Sequence, residues 1–310
     1  MQVSRALITG ISGFVGNHLA RQLLDQGWQI FGFDKRGVNN LNNVYTGDIT
    51  DRDALKNVIK EFQPDVVFHL AAVIKSSDPE LLYKVNLLGT VALFDTLMYL
   101  SARPVVVVAS SSAVYGSGHG SRPISEKYMS RPVTHYAISK LAQEHAALRY
   151  FTAYQMPVMV VRMFNLLGPG QSPSLACSAF ARQIALAEAC GEGEILTGNL
   201  NSYRDFVDVR DAVRAFALAA EKGKAGQVYN VCSGRAVSVR KCLDEMLSMS
   251  PRPLKVRVDA GRVQKNDVPI QVGDARKLNR TSGWRPQIKL KQSLSDLLDD
   301  WRQRVKSGLE

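Results

Sequence analysis

The sequence is poor in the residues that build special-purpose scaffolds. Its four cysteines, Cys177, Cys190, Cys232 and Cys242, are spaced neither as zinc ligands nor as a redox pair. That excludes a disulfide-stapled secreted fold and suggests reduced thiols in a cytoplasmic protein. The five histidines, His18, His69, His119, His135 and His145, have no ligand-like spacing with one another or with the cysteines, so no metal is expected. The longest apolar run, PVVVVA at 104–109, is too short to cross a bilayer. A glycine-rich motif that begins by residue 10 leaves no room for a signal peptide. Internal repeats and low-complexity linkers are also missing. With 310 residues the chain reads as one large domain or two intimate ones.

Acidic residues are outnumbered, 28 against 39 Lys and Arg, giving a net charge of +11. Residues 251–310 hold 14 of the basic and 7 of the acidic residues, so most of the excess lies at the C-terminal end. No dense Lys/Arg run and no interleaved aromatics accompany it, which argues against nucleic acid as the partner. A solvated basic face, or a pocket for an anionic small molecule, remains.

Short apolar runs alternate with amphipathic stretches in the first half. RALITG (5–10), QIFGFD (29–34), DVVFHLAA (65–72), PVVVVASSS (104–112) and PVMVVRMFN (157–165) read as strands. Helical spacing fills 17–27, 51–63, about 80–100 and 134–154. Strands buried on both faces and separated by helices predict an α/β fold with a doubly wound parallel sheet of Rossmann type. The pattern changes after Asn165, where Pro169, Gly170 and Pro173 interrupt it. Helices follow near 174–188, 208–223, 238–249 and 291–306, and QVYNVCSG (227–234) is another strand. This predicts a dinucleotide domain over 1–165 plus about 205–232. A smaller α/β substrate region then spans 166–204 and 233–310.

TGISGFVGNHLA spaces Gly10, Gly13 and Gly16 three apart, directly after a strand and at the head of a helix. In that context the glycines make a tight turn and let backbone approach a pyrophosphate, with Ser12, Phe14 and Val15 between them. Asp34 closes the second strand, where a carboxylate holds an adenosine ribose 2′-hydroxyl. Asp34 favours NAD(H), while Lys35 and Arg36 beside it leave NADP(H) possible. Asp48 and Ile49, after a further short strand, are candidate adenine contacts.

HYAISK places Tyr136 and Lys140 four residues apart on one helix face. A cation close to a phenol lowers its pKa and fits it for proton transfer near neutral pH. The stretch SSSAVYG (110–116) follows a buried strand and supplies hydroxyls to the same cleft.

Together with HLAA (69–72), VNLLGT (85–90), VRMFNLLGPGQ (161–171), RDFVDVRD (204–211) and SGWRPQ (282–287), these motifs resemble the extended short-chain dehydrogenase/reductase family. These are the nucleotide-sugar epimerases, dehydratases and reductases, and the resemblance runs nearly end to end. It implies Ser111, Tyr136 and Lys140 as the catalytic set. Leu70, Ala71 and Ala72 would line the coenzyme site, and Lys140 would also grip the nicotinamide ribose. Ser111, Ser112, Asn165, Arg182, Arg204 and Arg262 would face the nucleotide sugar, with Arg204 as a clamp on its diphosphate.

The family's dehydratases carry an Asp–Glu pair just after the catalytic hydroxyl. Here Ser112 and Ala113 stand there, which argues against dehydration. The second half most resembles the GDP-4-keto-6-deoxy-mannose reductases. The reading is therefore reduction of the C4 ketone of a 4-keto-6-deoxy nucleotide sugar. A 4-epimerase with tightly held NAD is the nearest alternative, and a non-catalytic dinucleotide sensor is one from another class. The resemblance also implies a homodimer joined through the helices around 85–100 and 136–153.

Overall fold

The computed structural model describes residues 4–37, 43–117, 120–191, 193–262 and 268–308; His119 lies outside them. The strands in chain order are β1 (Arg5–Thr9), β2 (Gln29–Asp34), β3 (Val44–Thr46), β4 (Val66–His69), β5 (Val105–Ser111), β6 (Val158–Met163) and β7 (Asn165–Leu167). They continue as β8 (Glu194–Thr197), β9 (Tyr203–Asp208), β10 (Val228–Val231), β11 (Ala236–Ser238), β12 (Lys255–Val258) and β13 (Ile270–Gln271). The helices are α1 (Phe14–Asp25), α2 (Arg52–Phe62), α3 (Pro79–Tyr83), α4 (Gly89–Leu97) and α5 (His135–Tyr154), then α6 (Ala176–Cys190), α7 (Val209–Lys222), α8 (Val239–Leu247), α9 (Arg276–Ser282) and α10 (Leu290–Lys306).

Seven of the strands form one sheet in the order β10-β6-β5-β4-β1-β2-β3, with every pairing parallel. Crossover helices cover both faces, so the central strands bury both sides and lose the polar alternation of a half-exposed sheet. The valines of β5 follow this rule, since Val106, Val107 and Val108 are all fully buried. Leu19 and Leu23 of α1 pack with Phe216 of α7 on one face. Leu55 of α2, Leu93 of α4 and Tyr150 of α5 pack on the other. The order reverses beside β1, and that is where such sheets open a crevice at their carboxyl ends.

A second core, built on α6, α8 and α10, carries the rest of the chain. Beside it, β7, β9, β11 and β13 form a small sheet, and β8 pairs with β12. The stretch between α8 and α10, which reads as merely polar in sequence, therefore holds two short strands and α9. The return to the main sheet also starts one element later than expected. β9 belongs to the small sheet, and only α7 and β10 rejoin the large one.

Between α3 and α4 the helix widens into one π-turn, Lys84–Leu88. Such turns are frequent at functional sites. Here it buries Asn86 completely and brings the following Thr90 into the core, also completely buried.

Candidate active site

The glycine loop is compact enough that only glycine fits two of its positions. Gly10 has a φ of 76°, and a Cβ there would lie 2.6 Å from Ala71 N. A Cβ on Gly16 would lie 2.3 Å from Gly10 O. α1 thus starts close under the loop, with Gly13 at its N-cap. Asp34, at the end of β2, accepts a hydrogen bond from Ser12 N at 2.8 Å and another from Arg36 N at 3.1 Å. The loop and the carboxylate are therefore one unit. Lys35 pairs with Asp48 at 3.1 Å. The hydrogen bond from Thr50 N leads the effects that hold the Asp48 carboxyl below its ordinary range. Ile49 is different: its side chain is buried and packs where a Cβ on Gly89 would go. Only its backbone is left to meet a ligand. Leu70, Ala71 and Ala72 follow β4 and stay partly exposed beside the loop.

Ser111 ends β5 and caps the short 3-10 turn Ser112–Tyr115, accepting a hydrogen bond from Ala113 N at 3.2 Å. Its hydroxyl lies on the side of the Tyr136 phenol. Burial pushes the phenol above its ordinary value, and Ser111 draws it partly back. Tyr136 lies in the first turn of α5, which Thr134 caps by accepting from Ala137 N at 3.1 Å.

Lys140 departs from the simple expectation of a cation against the phenol. It is 2% exposed, and its Nζ donates to Ala109 O at 2.6 Å and to Gln143 Oε1. Desolvation pulls it down to about 7, against a smaller opposing pull from Glu144. Glu144 is itself committed to Arg162, with contacts of 2.9 and 2.6 Å, and to Ser110 Oγ.

Behind Lys140 runs a chain of buried polar side chains that the sequence reading left without roles. Gln143 Nε2 donates to Thr90 Oγ1 at 2.9 Å, and Thr90 Oγ1 donates to Asn86 O at 2.7 Å. His69 Nε2 lies 2.8 Å from the same Thr90 oxygen, and His69 Nδ1 lies 2.7 Å from Thr9 Oγ1. Since the one Thr90 hydroxyl proton goes to Asn86, His69 must carry its proton on Nε2 and accept from Thr9 at Nδ1. Desolvation holds this histidine down at about 3, so it is neutral. Asn86 exchanges hydrogen bonds with Val73 N and Val73 O, at 2.8 and 2.9 Å, and donates to Ser139 Oγ at 2.9 Å. The signal for these residues was present in HLAA and VNLLGT, two of the quoted motifs. Gln143 had no such signal.

Ser112 is buried and reaches the small sheet rather than open cleft. Its Oγ donates to Gln271 Oε1 at 2.9 Å, and Gln271 Nε2 returns a bond to Ser112 O at 3.0 Å. Gln271 is the register partner of Arg204 in the β9–β13 pair, so Arg204 stands one strand away from the residue that holds Ser112. Arg204 Nη1 donates to Val268 O at 2.5 Å and Tyr203 O at 2.8 Å. Asn165 on β7 contacts Asp205 O at 3.5 Å. Arg182 and Arg262 are carried by elements gathered on β8 instead. Arg262 contacts Leu196 O at 3.3 Å and Asp259 at 3.3 Å. Gln183, beside Arg182 on α6, brackets Leu196 N and O at 2.8 and 3.2 Å.

Parallel sheet, glycine loop and Ser–Tyr–Lys cleft define a nucleotide-dependent oxidoreductase of Rossmann type. The chain belongs to the NAD dependent epimerase/dehydratase family, whose sequence profile matches residues 6–232. It is 33% identical to the GDP-6-deoxy-D-mannose reductase of Pseudomonas aeruginosa, over 97% of this chain and 98% of that one. The structure of RMD from Pseudomonas aeruginosa complexed with NADPH superposes with a TM-score of 0.88 at 32% identity, covering 97% of this chain and all of that one. A Thermus thermophilus UDP-glucose 4-epimerase in complex with NAD superposes at 0.85 with 28% identity, covering 96% and 99%. These relatives hold NADPH or NAD. The loop is so tight that no Cβ fits at Gly10 or Gly16, which lets its backbone approach a dinucleotide's pyrophosphate, and Asp34, tied to the same loop, suits an adenosine ribose. Among the described residues no helix is long and apolar enough to cross a membrane, and no cluster of three or more His, Cys, Asp or Glu could hold a metal.

Proposed function

We propose that this protein reduces the C4 ketone of a nucleotide-activated 4-keto-6-deoxy sugar, GDP-4-keto-6-deoxy-D-mannose, to GDP-D-rhamnose or a related product, using NAD(P)H. The observation that carries the reading is Ser112 at the carboxyl end of β5, beside Ser111 and turned into Gln271, where a dehydratase would have its acid. A dehydratase needs an acid and a base beside the Ser111 hydroxyl, and Ser112 and Ala113 can be neither. The likeness to the Pseudomonas aeruginosa reductase over nearly the whole chain supports the GDP-sugar assignment.

The coenzyme, when bound, supplies the hydride. Tyr136, kept protonated by its raised pKa, donates its proton to the C4 oxygen as negative charge develops there. Ser111 hydrogen-bonds the same oxygen. Lys140 contributes its positive charge one helical turn away and binds ribose hydroxyls. Gly10, Ser12, Gly13, Phe14, Val15, Gly16 and Asp34 hold the dinucleotide, with Lys35, Arg36, Asp48, Leu70, Ala71, Ala72 and the Ile49 backbone around it. Asn165, Arg182, Arg204 and Arg262 receive the nucleotide sugar, and Arg204 takes its diphosphate. The helices around 85–100 and 136–153, with Leu88 of the π-turn 56% and Ile138 of α5 41% exposed, support a homodimer through a four-helix interface. Free thiols at all four cysteines suit a cytoplasmic setting.

Denaturing freshly purified protein and identifying the released nucleotide is the first test. Little bound nucleotide, followed by turnover of GDP-4-keto-6-deoxy-D-mannose with NADH or NADPH, supports the reductase. Near-stoichiometric NAD, with interconversion of NDP-hexoses, would replace it with a 4-epimerase.

A further inference from the structure

Gln143 makes no hydrogen bond to the glycine loop or to the Ser111 turn, yet it holds one of the hydrogen bonds of Lys140. A primary amide can present either its oxygen or its nitrogen to a neighbour, and only the oxygen can accept from an ammonium. Which end faces Lys140 is settled elsewhere. Thr90 Oγ1 spends its only proton on Asn86 O at 2.7 Å, so it can only accept from Gln143, and it takes Nε2 at 2.9 Å. His69 fills the remaining approach at 2.8 Å, and Thr9 fixes its tautomer from the other side at 2.7 Å. The four side chains come from β1, β4, α4 and α5, and all are fully buried. None can turn without leaving a buried polar atom unpaired.

We propose that Gln143 is a positioning residue for Lys140. Its amide, locked oxygen-first by Thr90 and neutral His69, fixes the buried ammonium and holds it in the charged form. The inference rests on the reading of Lys140 as the partner of Tyr136.

The surroundings leave Gln143 an outsized share of this task. On its own helix Lys140 faces Tyr136 and Glu144, and Glu144 is paired with Arg162 of β6. From β4 comes His69, uncharged, and from the 3-10 turn comes Tyr115, whose hydroxyl bonds Asn230 at 2.7 Å. Tyr83 of α3 bonds His135, and Asp95 of α4 is taken by Arg52 and Tyr150. β5 offers only Ala109 O. No carboxylate among these bonds the ammonium directly; Glu144 acts on it through space, and the two neutral acceptors take its hydrogen bonds.

The test follows the Lys140 signal in full-length protein labelled with ¹³Cε-lysine, assigned with K140M, through a titration from about pH 5 to 10. Q143L should lower the midpoint by about one pH unit, since it removes a hydrogen bond to the charged form. Q143E should raise it. T90V, which frees the amide to turn, should lower it, and T90S should restore it. The basic limb of kcat/KM for ketone reduction should move with the midpoint in each case. A midpoint unmoved in both Q143L and Q143E overturns the role of Gln143, however good a reductase the wild type is. Shifted midpoints in a protein that reduces no 4-keto sugar would instead support it while refuting the proposed reaction.

Discussion

Ser112 and Gln271, 159 residues apart in the chain, trade a hydroxyl–carbonyl bond of 2.9 Å for an amide–backbone bond of 3.0 Å. The pair stitches β5, which ends in Ser111, to the small sheet that carries Arg204. Gln271→Ala leaves the buried Ser112 hydroxyl without its acceptor, at a cost of about 1–3 kcal/mol. The expected result is a lower urea midpoint and a raised KM for the sugar nucleotide with coenzyme affinity unchanged. Equal losses in both affinities would show that the pair is not specific to the substrate side.

Tyr136→Phe keeps the ring and deletes the proton. Turnover should fall by about 10²–10⁴-fold while coenzyme binding, measured by quenching of protein fluorescence, stays near wild type. Near-normal turnover in this variant would refute Tyr136 as the acid.

Gly10→Ala puts a methyl group 2.6 Å from Ala71 N at a φ that side chains rarely adopt. Coenzyme should no longer raise the melting temperature, and the apoprotein itself should melt earlier. A normal coenzyme-dependent rise would mean that the loop gives way.

Lys140 should make apoprotein stability depend on pH. Its folded value of about 7 lies below the ordinary lysine value of about 10.4. Between those two values the unfolded chain binds a proton that the folded one does not, so stability falls as pH drops from about 10 to 7 and levels off below. Lys140→Met removes this penalty. It should stabilise the apoprotein by on the order of a few kcal/mol at pH 6–7 and by little near pH 10, read by urea unfolding at each pH. Equal effects at both ends of the range would contradict the lowered value.

Glu144 and Arg162 meet at 2.6 Å with both side chains almost wholly buried. Removing one partner of such a pair strands the other charge. Glu144→Leu should cost about 3–5 kcal/mol of folding free energy. A loss below about 1 kcal/mol, typical of an exposed pair, would mean that water reaches Arg162.

Much of this architecture could be read from the chain itself because parallel strands and crossover helices have strong local signatures. The valine run of β5 and the glycines before α1 behave as their spacing predicts. Short strands do not announce themselves in the same way. β12 and β13 are four and two residues long, and tertiary pairing rather than local pattern makes them strands. Ser111 ends β5 and Tyr136 lies in the first turn of α5, as their positions imply. The direction taken by the Lys140 ammonium was hidden, since helix spacing fixes a face but not what lies beneath it. Gln271 was hidden for a similar reason: its partner is 159 residues away in the chain, and a lone glutamine in a polar stretch carries no local mark.

The π-turn at Lys84–Leu88 acts as slack in the helix. Each residue of an ordinary α-helix advances the face by about 100°, so a deletion in an ordinary turn swings everything after it. The widened turn holds one residue more than an α-turn, and taking that residue out would restore a regular helix with α4 still in phase. Thr90 would keep its place against His69 and Gln143, and the change would fall on the turn itself, where Asn86 meets Val73 and Ser139.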